Sequence, residues 1–97
     1  MQKYELFFSD KFQQNLNEIL TFIAKNSPQN ALKFRLELQE RIEGALNMPY
    51  RYRQSVHSRA QNIRDMVFKG FVVVFAVEET PPRVRILGIY KNNLWKM

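Results

Sequence analysis

The sequence predicts an α+β domain. An N-terminal strand is followed by a two-helix antiparallel hairpin packed on one face of a mainly antiparallel sheet, which a three-strand C-terminal meander completes. Three observations carry this. Apolar residues recur at helical spacing through two consecutive stretches of the first half. A run of seven apolar residues, Phe71 to Val77, is rich in β-branched and aromatic types and far too short to span a bilayer, so it reads as a central strand. Turn residues flank that run at Lys69-Gly70 and at Glu78 through Pro82, so the strands on either side fold back upon it. With 97 residues the chain forms one domain, 1–97, around a single core.

Each element has its own signal. Tyr4 to Phe8 is a short apolar-rich strand ended by Ser9. Ser9 is suited to cap a helix, with Asp10 in the first turn where a carboxylate meets the positive end of the helix dipole. Phe12, Leu16, Ile19 and Ile23 then form a stripe flanked by Leu20 and Phe22, giving a helix from about Asp10 to Lys25. Asn26-Ser27-Pro28 stops that helix and starts another, because Pro28 at a first helical position lacks only an N–H that would have had no partner. Ala31, Phe34, Leu38, Ile42 and Ala45 share one face of the second helix, which is expected to reach about Met48 before Pro49 ends it. Leu32 and Leu36 fall outside this stripe; they either pack against the first helix or face a partner. Arg35 lies near the apolar sector, its stem over the core edge and its charge in water. No element is assigned to residues 49–62, a loop dense in Tyr and Arg. Ile63 to Phe68, Phe71 to Val77 and Val84 to Tyr90 are the meander strands.

Composition removes several classes of chemistry. Without cysteine there is no disulfide framework, thiol nucleophile or thiolate zinc site. One histidine and no carboxylate cluster at metal-loop spacing leave no basis for a metal site, and three glycines form no phosphate-binding loop. No metal and no small-molecule cofactor are expected. The start MQKYEL lacks the basic-then-apolar pattern of a secretory leader, and no run is long enough for a membrane span, so a cytoplasmic protein that does not enter membranes is expected.

The net charge of +6 favours a polyanion or an acidic protein as partner. Arg51, Arg53, Arg59, Arg83 and Arg85 are the candidate nucleic-acid contacts, with neighbouring aromatic rings able to stack on unpaired bases. Metal-free cleavage of RNA needs a proton acceptor, a proton donor and cations for the crowded phosphorane. Arg64, His57, Tyr90 and Lys91 are the residues that could supply them. Structural roles compete with each: Arg64 as a partner of Asp65, Tyr90 as edge packing, His57 as an inert loop residue. Leu94 and Trp95 of the tail, with Leu32 and Leu36, are the candidate partner contacts.

The chain resembles, nearly end to end, the RelE/ParE superfamily of toxins from bacterial type II toxin–antitoxin modules. The resemblance rests on the strand ending in Ser9, LNEILTFI from Leu16, SPQNALKF from Ser27, MPYR from Met48, IRDMVFKGFVVVFAV from Ile63 and VRILGIY from Val84. It implies a compact toxin neutralised by a cognate antitoxin. Two activities occur in the superfamily: ParE-like members poison DNA gyrase, and RelE-like members cut mRNA on the ribosome without a metal. The long helix hairpin with its Ser-Pro restart is similar to the ParE-like branch. Arg64 matches an arginine that is catalytic in several nucleases of the superfamily, and Tyr90 and Lys91 fall near their C-terminal catalytic positions. Asn92 and Asn93, however, stand where nucleases carry Arg, His or Tyr, and Arg51 and Arg53 replace loop lysines. The expectation is therefore a gyrase-directed toxin, with a ribosome-dependent endoribonuclease as the first alternative and an inactive relative that only binds antitoxin as the second.

Overall fold

The computed structural model describes residues 4–56 and 58–91. Its elements are β1 (Glu5–Phe8), α1 (Asp10–Asn26), α2 (Pro28–Ala45), one 3-10 turn (Pro49–Arg51), β2 (Arg53–Gln54), β3 (Ile63–Phe68), β4 (Phe71–Glu79) and β5 (Pro82–Lys91). Among the described residues the strands form one sheet in the order β1-β5-β4-β3-β2. β1 runs parallel to β5, and every other pairing is antiparallel. This is the predicted α+β architecture, including the helical hairpin and the β3–β4–β5 meander.

Two serines organise the helices. Ser9 Oγ accepts from the Phe12 N–H at 3.0 Å and donates to the Leu87 carbonyl at 2.9 Å, so one hydroxyl both caps α1 and ties its start to β5. Ser27 donates its N–H to the Ile23 carbonyl, closing α1, while its Oγ accepts from the Asn30 N–H at 3.1 Å, opening α2. One residue between the helices leaves them no arrangement but a tight hairpin. α2 ends at Ala45, earlier than the sequence predicts. Pro49 forbids helical geometry at Met48, which sits at φ −146°, and Leu46 turns inward to become one of the most buried side chains.

In the meander, Lys69 and Gly70 both have positive φ, 48° and 83°, the tight-turn geometry whose twist matches the strands it joins. β4 is longer than the apolar run implies: Glu78 and Glu79 continue the strand, opposite Arg83 and Pro82. Proline is tolerated there as the first residue of β5. One irregularity changes the sheet's parity. Phe75 pairs with Ile86 but Val74 pairs with Gly88, so Leu87 is an extra residue, a β-bulge. Ile86 and Ile89 consequently both face the helices although they are three residues apart, and Tyr90 is delivered to the opposite face.

The core lies between the helices and one face of the sheet. It contains Phe12, Phe34, Leu38, Ile42 and Leu46 from the helical region, with Met66, Phe68, Val73, Phe75, Val77, Val84, Ile86 and Ile89 from the strands. The Phe34 ring meets Phe68 and Phe71 edge-on at 5.3 and 5.7 Å, joining α2 to the β3–β4 turn. Arg41 reaches the same turn, donating to the Val67 carbonyl at 3.1 Å, and Lys69 pairs with Glu37, whose carboxyl is held below its ordinary range by that contact. No helix among the described residues is long and apolar enough to cross a membrane.

Candidate functional site

The two helices do not fill the space between them. Phe12, Leu16 and Leu20 of α1 face Leu38 and Ile42 of α2 across a cleft of about 570 Å³ that Leu6 and Phe8 of β1 also line. Gln13, Asn17, Arg35, Gln39 and Glu43 form its polar margin. On α1 only Phe12 is fully buried; Leu16, Ile19, Leu20 and Ile23 remain partly open. An apolar cleft with a polar margin, beside two exposed helices, has the form of a groove that takes an amphipathic segment. Leu32 and Leu36 of α2 are 56% and 55% exposed, and Phe22 of α1 is also exposed. Sequence periodicity picks out Leu16 and Leu20 as core because a helical stripe looks the same whether its own chain or a partner covers it.

Arg64 opens β3 on the helix-covered face, in register with Phe75 and Ile86 of the core. Its Nε donates to the Gln61 carbonyl at 2.8 Å, and its Nη1 to the carbonyls of Tyr52 at 3.0 Å and Tyr50 at 3.5 Å. Its guanidinium also lies 4.8 Å from the centre of the Tyr50 ring. Asp65, the next residue, points to the other face and its side chain is 0% exposed. Its Oδ2 lies 3.5 Å from Arg53 Nη2 and accepts from the Val56 N–H at 3.4 Å, whereas Oδ1 is buried without a hydrogen-bond partner among the described residues. Adjacent residues of opposite charge thus hold the segment after α2 from the two sides of one strand. Backbone bonds from Ser55 to Ile63 and from Val77 to Asn62, both 2.8 Å, close its base. The stretch read from sequence as a loop without elements therefore contains a 3-10 turn and the short β2.

The remaining cations form two separated groups. Arg51, over the Tyr52 ring at 5.8 Å, Arg53 and Arg59 belong to the β2 edge. Arg83 and Arg85 lie at the other side of the sheet beside β1, at 2.9 and 3.6 Å from Glu78 and against the Phe7 ring at 5.3 and 5.7 Å. Tyr90 is on the face away from the helices and lies over Gly88, where a Cβ would come within 2.5 Å of the phenol oxygen. A side chain there would have to displace the exposed Tyr90 ring. Lys91 is the last residue of β5, opposite Phe71. Arg64 and Tyr90 are thus on opposite faces of the sheet. His57, Leu94 and Trp95 lie outside the described residues, as do Asn92 and Asn93. No group of acidic, histidine or cysteine side chains among the described residues could hold a metal ion.

Comparison with known proteins agrees with this arrangement. Residues 6–92 match the family model of the ParE toxin of the type II toxin–antitoxin system parDE. Among solved structures, a chain of the chromosomal ParDE TA system from P. aeruginosa superposes with a TM-score of 0.72 at 18% identity, covering 92% of this chain and 96% of that one. That likeness is one of fold. No curated protein matches the chain in sequence.

Proposed function

The chain belongs to the ParE toxin family of type II toxin–antitoxin systems, and from that premise we propose that it inhibits growth by binding DNA gyrase and is neutralised by a cognate antitoxin seated in the cleft between α1 and α2. The observation that carries the choice of binding over RNA cleavage is the state of Arg64. Stabilising a phosphorane requires a cation whose donors are free to meet the developing charge. Arg64 spends Nε and Nη1 on three backbone carbonyls and stacks on Tyr50. Its natural proton-transfer partner Tyr90 projects from the other side of the sheet. Their placement on opposite faces of the sheet favours a toxin that works through its surface.

The cleft supports the antitoxin half of the reading. It leaves Leu16 and Leu20 of α1 partly open at helical spacing above the buried Leu38 and Ile42 of α2, which suits the apolar face of a helix laid along the hairpin. The polar margin is mixed, Arg35 on one part and Glu43 on another, so register as well as burial would be specified.

Induced expression with parallel readouts tests the proposal. Trapped DNA breaks or loss of supercoiling while mRNA stays intact is the expected result, relieved by co-expression of the product of the adjacent reading frame. Cuts at codons on translating ribosomes that disappear in Arg64→Ala would establish a nuclease instead. A folded protein without effect on growth would reduce the function to antitoxin binding.

A further inference from the structure

The 3-10 turn after α2 is held more firmly than a connection requires. Pro49 is buried, and the carbonyls of Tyr50 and Tyr52 both accept from Arg64. The Tyr52 ring meets core residue Phe75 edge-on at 5.9 Å. Outward from this braced turn project Met48, 59% exposed, Tyr50, 43% exposed, and Arg51. Tyr50 is backed by the Arg64 guanidinium, so its ring is held in place before anything binds. A rotamer-poor aromatic, a thioether and an arginine side by side is the composition of the energetically dominant centre of a protein interface. Nothing within residues 49–62 carries a carboxylate, so the local charge is positive and complements an acidic surface.

We infer that Met48, Tyr50 and Arg51 form a preformed docking surface for an acidic face of a protein target, with Arg64 as the positioning residue behind it. The inference rests on the reading of the chain as a gyrase-directed toxin and names the surface it would use. A protein fits better than nucleic acid. Phosphate recognition would gather several unpaired cations, whereas the turn itself carries Arg51 beside two large apolar groups, and of the neighbouring arginines Arg53 is already paired with Asp65. The antitoxin cleft is lined by β1, α1 and α2, and none of Met48, Tyr50 and Arg51 is among its lining residues, so the two surfaces are distinct. Holding the ring and turn rigid beforehand lowers the entropy lost on docking.

The test measures binding of the purified chain to reconstituted gyrase holoenzyme, to its antitoxin and to a duplex oligonucleotide. Tyr50→Ala and Arg51→Glu are expected to weaken gyrase binding at least about tenfold while antitoxin binding stays within about twofold, which also shows that the fold is intact. Arg64→Met should weaken gyrase binding similarly, and Arg64→Lys should not restore it, since an ammonium cannot reproduce the planar fork and stacking. Wild-type affinity in Tyr50→Ala and Arg51→Glu overturns the surface and leaves the gyrase reading standing. Failure of the unmodified chain to bind gyrase overturns both. Parallel loss of antitoxin binding would place these residues in the antitoxin site, and loss of duplex binding alone would make the turn a nucleic-acid contact; either result overturns the inference.

Discussion

The meander and the helical hairpin treat their apolar residues differently. In β4, Val72 through Val77 are all buried, and Val84, Ile86 and Ile89 of β5 join them. In α1, Phe12 is buried while Leu16, Ile19, Leu20 and Ile23 remain partly open, Leu16 and Leu20 of them lining a cleft. Both regions have sequences apolar enough to be core. The contrast teaches that burial within the chain accounts for stability mainly in the sheet and α2, while α1 keeps apolar surface available. A domain of this size has little stability to spare, so surface left open in α1 is stabilisation forgone for another purpose.

Substitutions in the two regions should separate these uses. The largest effect is expected for Phe75→Ala. It removes a ring from the centre of β4 and should destabilise the domain by about 3–5 kcal/mol in denaturant unfolding, enough to approach global unfolding. If instead it costs no more than Leu20→Ala, the contrast between meander and hairpin fails. Leu20→Glu sharpens the comparison from the other side. It should weaken antitoxin binding about tenfold or more while leaving the chemical-denaturation midpoint nearly in place.

Arg64→Met addresses the braced segment. It should lower stability by about 1–3 kcal/mol, because three carbonyls lose a charged donor. Hydrogen exchange should speed up at the Ser55 and Ile63 amides and not at the centre of β4. Ser27→Ala is expected to cost about 1 kcal/mol through loss of the α2 cap, and a larger loss would mean that the hairpin contributes more to the core than its exposure implies.

The smallest effect at neutral pH is expected at Tyr4, whose hydroxyl donates to Glu79 Oε2 at 2.7 Å and joins the start of β1 to the end of β4. That hydrogen bond, reinforced by burial and by the carboxylate charge, pushes its pKa from 10 up to about 12. A raised folded-state pKa means the contribution is complete below pH 10 and is lost as pH rises toward 12. Unfolding measured across that window should show a fall in stability that Tyr4→Phe reduces.

Much of this molecule could be read from local pattern. Ser9 and Ser27-Pro28 announce helix starts because capping is a matter of neighbouring residues, and Lys69-Gly70 announces a turn because positive φ is a property of the residues themselves. The candidate site was less legible. Leu16 and Leu20 carry the same signal as core leucines, and Leu32 and Leu36 reveal their exposure only once the hairpin is packed.

The sequence by itself determined the order and kind of the two helices, the first strand and the three meander strands, since these follow from periodicity and caps. Tertiary structure alone decided which side of the sheet each functional candidate occupies. The bulge at Leu87 reverses the alternation of β5 and sends Tyr90 away from Arg64, and the carbonyls that Arg64 engages are supplied by residues up to 14 positions earlier in the chain. Alternation along a strand is a local property, but its phase and its partners are set by pairing across the sheet, which local pattern does not encode.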